Sequence, residues 1–202
     1  LIFLIGIWSV VFTLRKEDPE LARRSVGIPL GYVENLKKRR SDFFALLERE
    51  DELGLVVRGH IHLERELKEF VLAAAPQPSE IRLLEYDYAG VLKLAMVLGL
   101  DQTLEAGLEA IGNLRNKFAH ELEIELTDGE AQRIYSKLSR KRQEDARQAH
   151  AKTFAKYPNA GRPAELLKSK PKDLIVACIM MLWNGVILAH LTLRCDAMKA
   201  RR

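Results

Sequence analysis

The chain has 202 residues, 48% of them apolar and 30% charged, with a net charge of +4. It is long enough to bury a core of its own and too apolar to remain disordered. Its 12 glycines and 7 prolines are sparse and good helix formers dominate, so composition predicts an all-α fold.

The first fourteen residues, Leu1 to Leu14, are apolar, and Arg15 and Lys16 end the run. As a helix this run would span about 21 Å at ~1.5 Å per residue, short of the ~30 Å of a bilayer core. No basic stretch precedes it and no small-residue cleavage site follows it. It is therefore expected to be a truncated or non-native start rather than a working anchor. The expected organisation is an N-terminal apolar segment and linker over residues 1–30, apart from the globular domain, and one helical domain over 31–202.

Glu34 to Asp51 is predicted as a charged amphipathic helix, with Phe43, Phe44, Leu46 and Leu47 at or near its buried face. Leu53 to Ala75 is predicted as a longer helix. Its residues Leu55, Val56, Ile61, Leu63, Leu67, Phe70 and Val71 recur at helical spacing, and Pro76 and Pro78 stop it. Arg82 to Tyr88 is a connector. A compact helix follows through Val91, Leu92, Leu94, Ala95, Val97 and Leu98, ending at Gly99, the residue favoured just past a helix end. Asp101 and Thr103 are candidate caps for the next helix, which carries Leu104, Leu108, Ile111 and Leu114.

Thr127 and Glu130 have capping-box spacing, and a basic helical segment runs from there to about Lys156. Residues 157–163 form a turn-rich linker, and Pro171 introduces the last helix. Leu174 to Leu193 is nearly all apolar, and Asn184, Gly185 and His190 interrupt it. It is read as the central helix of a soluble bundle rather than a membrane span, because Asn and His at membrane depth are costly. The whole predicts an antiparallel helical bundle with a long apolar C-terminal helix. No membrane association is expected, and the compartment expected is the cytoplasm.

Charge is unevenly placed. From Gln132 to Lys172 there are twelve basic residues and three acids, whereas from Asp101 to Glu130 there are eight acids and two bases. A basic arm of this kind suits nucleic acid or an anionic surface, or forms a solvated helix face. Cys178 and Cys195 have neither Cys-x-x-Cys nor Cys/His spacing, so a zinc site is not expected and both read as core or free thiols. His60 and His62 are two apart on a helix and face different ways, so they do not form a metal pair. No glycine-rich phosphate loop and no Gly-x-Ser-x-Gly elbow are present; no metal or cofactor is expected.

The most informative stretch is Arg115-Asn116-Lys117-Phe118-Ala119-His120. Arginine is always cationic and forks onto phosphate, and histidine exchanges a proton near neutral pH. Two readings stay open. The stretch could handle a phosphodiester without metal, or it could finish a helix, with Arg115 paired to Glu64 or Glu66 and His120 at the negative end of the helix dipole. Five helical residues turn by about 140° at 3.6 residues per turn, so Arg115 and His120 point apart unless the helix frays or a second chain completes the site. Glu121, Glu123 and Glu125 next to the motif would repel phosphates.

Three blocks in order carry a resemblance. They are Val57-Arg58-Gly59-His60-Ile61-His62-Leu63-Glu64-Arg65-Glu66-Leu67, then Asp87 through Leu100 (Asp-Tyr-Ala-Gly-Val-Leu-Lys-Leu-Ala-Met-Val-Leu-Gly-Leu), then Leu114 through Glu121 followed by Leu126-Thr127-Asp128-Gly129-Glu130. Together they resemble the mannitol operon repressor (MtlR-like) family, and the Arg-x4-His block is similar to the signature of HEPN-type helical domains. The resemblance covers roughly Leu55 to Leu138. It implies a helical bundle, self-association as a homodimer with the motif helices near a two-fold axis, and a non-enzymatic role in controlling sugar-alcohol uptake genes. No DNA-reading helix-turn-helix is legible, so control through a protein partner is expected rather than sequence-specific DNA binding.

The alternative that the resemblance implies is a metal-independent endoribonuclease acting on RNA. The RNA 2′-hydroxyl would attack its own phosphate, His120 would serve as general acid or base, and Arg115 would neutralise the phosphorane oxygens. Asn116 would orient the phosphate or the histidine, and Glu64 would hold Arg115.

Overall fold

The computed structural model describes residues 30–121, 125–156 and 163–199. The N-terminal apolar segment and most of the 157–163 linker lie outside them. The described residues are all-α. Seven helices run in order: α1 Leu30–Arg49, α2 Glu52–Ala74, α3 Tyr88–Val97, α4 Glu105–His120, α5 Asp128–Ser136, α6 Arg140–Lys156 and α7 Pro171–Lys199.

Local chemistry explains the helix ends. Asp51 caps α2 by accepting from Gly54 N–H at 2.7 Å, and Asp87 caps α3 by accepting from Gly90 N–H at 2.8 Å. Behind α3, Leu100 N–H reaches Ala95 C=O and Gly99 N–H reaches Met96 C=O, with Gly99 at φ 96°. That pair of bonds is a Schellman end, whose left-handed residue favours glycine. Asp101 caps a short 3₁₀ turn over Gln102–Leu104 by accepting from Thr103 N–H at 2.9 Å. The Thr127–Glu130 capping box is present, with Glu130 N–H donating to Thr127 Oγ1 at 3.2 Å. Replacing Thr127 with Ala should lower stability by about 1 kcal/mol, read as a shift of the urea midpoint with unchanged slope; a variant as stable as the parent would show the cap to be idle.

The long basic segment expected after Thr127 is in fact two helices. They break at Lys137–Ser139, where Leu138 turns into the core and Ser139 Oγ accepts from Arg142 N–H at 3.4 Å to begin α6. The Arg82–Tyr88 connector contains a 3₁₀ turn at Leu83–Glu85.

α7 sits at the centre. Leu174, Ile175, Cys178, Ile179, Leu182 and Val186 are buried against α2, α4 and α5. Burial pushes the Cys178 thiol well above its ordinary pKa. By length and composition α7 could cross a bilayer, yet most of its apolar stretch is covered by the other helices.

Marker contacts fix the directions. Lys172 Nζ donates to Glu48 C=O at 3.0 Å, and the Phe43 and Trp183 rings are 5.7 Å apart, so α7 is antiparallel to α1. A Cβ at Gly59 would lie 2.5 Å from Ile179 Cδ1, and one at Gly107 2.7 Å from Leu182 Cδ2. Glycine at these two places lets the α2 and α4 backbones approach α7 closely. α2 and α7 therefore run in the same direction, with α1 and α4 opposed to both.

Candidate functional site

α4 carries the Arg-x4-His stretch, and its inward face fixes how the stretch is presented. Leu108, Ile111, Leu114 and Phe118 are buried, so Arg115 and Asn116, between Leu114 and Phe118, turn outward. Lys117 is ion-paired to Glu130 of the α5 capping box. That contact raises the Lys117 pKa and lowers that of Glu130. Leu126 N–H donates to Glu52 Oε2 at 2.7 Å, tying the connection after α4 to the start of α2.

Arg115, Asn116 and His120 are all exposed. Arg115 Nη1 donates to Asn116 Oδ1 at 3.0 Å. Among the described residues no carboxylate lies within ion-pair distance of Arg115, so the expected pairing with Glu64 or Glu66 is not formed. Glu64 instead binds Lys68 at 2.6 Å and faces His60 Nδ1 at 3.9 Å, while Glu66 pairs with Arg39 of α1. The helix does not fray before the histidine: Glu121 N–H reaches Lys117 C=O at 3.1 Å, closing a regular last turn. Arg115 and His120 keep the ~140° separation of a regular helix. One chain does not aim both at a common point.

What Arg115 does approach is a polar cluster at the junction of α2, α3 and α4 that the sequence reading passed over. His60 is buried, with its ring centroid 4.3 Å from that of Tyr88. Tyr88 Oη donates to the Leu108 carbonyl at 3.0 Å. Gly112 makes the room, since a Cβ there would lie 2.9 Å from Tyr88 Cε1. Burial lowers the His60 pKa; Glu64 pulls it up and Arg115 pushes it further down. Burial raises the Tyr88 hydroxyl well above its usual value, helped by Glu64 and Glu109. Glu64 and Arg115 thus act on one histidine in opposite senses and form no ion pair with each other. The i, i+4 spacing of His60 and Glu64 was the available signal; the approach of Tyr88 and Arg115 depends on helix packing.

An apolar stripe borders this cluster. Leu53, Val57 and Ile61 follow at four-residue intervals on α2 and lead to Glu64. Leu53 is 51% and Ile61 55% exposed, so Ile61, one of the apolar residues recurring at helical spacing, is on the surface.

The α6 part of the basic arm lies elsewhere. Arg142 of α6 bonds Asp101 at 3.0 Å and also Thr103 Oγ1. Asp101 and Thr103 precede the start of α4, roughly 22 Å along the helix from His120 at ~1.5 Å per residue. α6 is therefore anchored at the opposite end of α4 from the motif. Among the described residues no three His, Cys, Asp or Glu side chains converge as metal ligands.

Comparison with protein-family models, with curated proteins and with solved structures finds no match for this chain.

Proposed function

We propose that the protein is a non-enzymatic regulator that acts as a helical homodimer through a protein partner. The observation that carries this reading is a pair of exposed surfaces: Arg115, Asn116 and His120 on a regular helix, with Arg115 and His120 turned apart, and the exposed Leu53 and Ile61 on α2, the helix that carries His60 and Glu64. Exposed aliphatic residues and an exposed arginine suit a protein interface better than a one-chain reaction centre. The resemblance of the three sequence blocks to the mannitol operon repressor family supports control of sugar-alcohol uptake genes as the setting, in the cytoplasm.

A second reading, a metal-independent endoribonuclease, draws on one specific observation. Neither Arg115 nor His120 is engaged by a carboxylate among the described residues, so a two-fold partner could bring the His120 of one chain to the Arg115 of the other. Two experiments separate the readings. Purified protein incubated with RNA in chelator should leave the RNA intact; cleavage that disappears in His120→Ala would overturn the regulatory reading. Sedimentation should give a dimer for the parent chain and a monomer for a Leu53→Glu/Ile61→Glu variant of unchanged helicity. That variant should also fail to capture sugar-transport or phosphocarrier proteins that the parent retains. A monomeric parent, or capture of none of these proteins, would count against the proposal.

A further inference from the structure

We propose that the outer surface formed by the end of α5 and by α6 docks the phosphodiester backbone of a nucleic-acid strand. Between Arg133 and Lys156 there are eight basic residues and two acids, an excess larger than the net charge of the whole chain. All of the eight except Arg142 are exposed. Arg142 turns inward to Asp101 and Thr103 and packs against Gly185, where an added Cβ would lie 3.0 Å from its Nη2. That anchor holds α6 against the bundle and leaves Arg133, Lys137, Arg140, Lys141 and Arg147 on the outside.

The two acids on this surface are engaged locally, Asp145 with Lys141 at 3.5 Å and Glu144 with Arg147 at 2.7 Å. Both pairs are solvent-exposed, and exposed pairs are held weakly, so a phosphate can take either cation.

The same surface argues against other anionic partners. Ala146 is the one α6 residue in the core, and the exposed apolar positions of α6 are alanines. An interfacial membrane helix needs large apolar side chains to insert, and a protein interface needs aromatic or aliphatic anchors. Binding along a phosphate backbone needs cations alone, and carries no sequence preference. Arg133 at the α5 edge of this surface acts on Lys117 and Glu130, but α6 is anchored at the other end of α4 from His120, and the inference does not depend on the regulatory reading.

The test is fluorescence anisotropy of the full chain with a labelled 20-nucleotide single-stranded RNA and the DNA strand of the same sequence, from 50 to 200 mM salt. The DNA strand, lacking the 2′-hydroxyl, separates binding from any cleavage. Both strands should bind, and both should weaken steeply with salt. An Arg140→Gln/Lys141→Gln/Arg147→Gln variant should bind at least tenfold more weakly at 50 mM. It should also lower the slope of log K against log salt by about 2, from ~0.7 per neutralised phosphate. A charge-matched control, Lys38→Gln/Arg65→Gln/Lys93→Gln, should stay within about twofold of the parent on the same scale, and circular dichroism should show all three proteins equally helical. The proposal is overturned by no binding at 50 mM, by a flat salt response, or by equal losses in the two triple variants. It is overturned equally if polyglutamate or phosphatidylserine vesicles show that the surface prefers an acidic polypeptide or a membrane.

Discussion

Replacing Arg39 with Met should lower stability by roughly 3 kcal/mol at pH 8, the lower end of the range for breaking a buried ion pair. Arg39 of α1 pairs with Glu66 of α2, whose side chain is 2% exposed, and the other carboxylate oxygen of Glu66 is buried without a hydrogen-bond partner. Burial already raises the Glu66 pKa, and Arg39 is the main group pulling it back down. Removing Arg39 leaves a buried charge with little compensation. The pH dependence has a definite sign. A carboxyl whose folded-state pKa is raised contributes most favourably below its unfolded pKa, and that contribution is lost as pH rises through the folded value. The Arg39→Met defect should therefore be full at pH 8 and shrink as pH falls toward 5, where the protonated carboxyl carries no charge. Urea unfolding at several pH values checks this. An Arg39→Met/Glu66→Leu double variant should recover most of the loss, since replacing both partners removes the charge as well as its neutraliser. A defect independent of pH and unrelieved in the double variant would show that Arg39 acts by packing alone.

Trp183 should separate packing from polar satisfaction. It is 2% exposed on the central helix, its ring lies 5.7 Å from that of Phe43, and the Phe43 ring stacks on His62 at 4.3 Å. Trp183→Ala should cost about 3–5 kcal/mol through lost burial and the cavity left behind. Trp183→Phe should cost far less, under about 1.5 kcal/mol, because the indole N–H is buried with no acceptor. Deleting that donor relieves a desolvation penalty that offsets part of the lost volume. Denaturant midpoints of the two variants give the comparison. Equal losses would mean that the indole nitrogen is satisfied in solution.

Helix positions were largely legible because their signals are local. The span expected for α2, Leu53 to Ala75, differs from the observed Glu52–Ala74 by one residue at each end. The capping box at Thr127 and the stop at Gly99 follow from side-chain and backbone chemistry within a few residues. The break between α5 and α6 was also local, in the cap Ser139, but the continuous basic composition obscured it. Ile61 and Val97 belong to the apolar patterns of α2 and α3, yet Val97 is 83% and Ile61 55% exposed; apolar character alone does not say which edge of a helix face is covered.

Partners across helices were not legible. Glu64, Glu66 and Arg115 are all on helices that were correctly placed, yet which carboxylate meets which cation depends on the axial register of one helix against another. No short-range pattern encodes that register. The same holds for His60, whose burial follows from the approach of α3 and α4 and not from its own neighbours in sequence.

The central place of α7 bears on the order in which the fold can form. Synthesis runs from the N-terminus, and the side of α2 at Gly59 and of α4 at Gly107 that receives Ile179 and Leu182 has no covering until α7 has left the ribosome. The parallel α2–α7 pairing joins residues about 120 positions apart in the chain, a separation that slows closure. Until α7 is made, the nascent chain therefore presents an open apolar trough along α2 and α4. Closure of this bundle therefore waits on α7, and the trough is the natural foothold for a chaperone that holds the chain until α7 arrives.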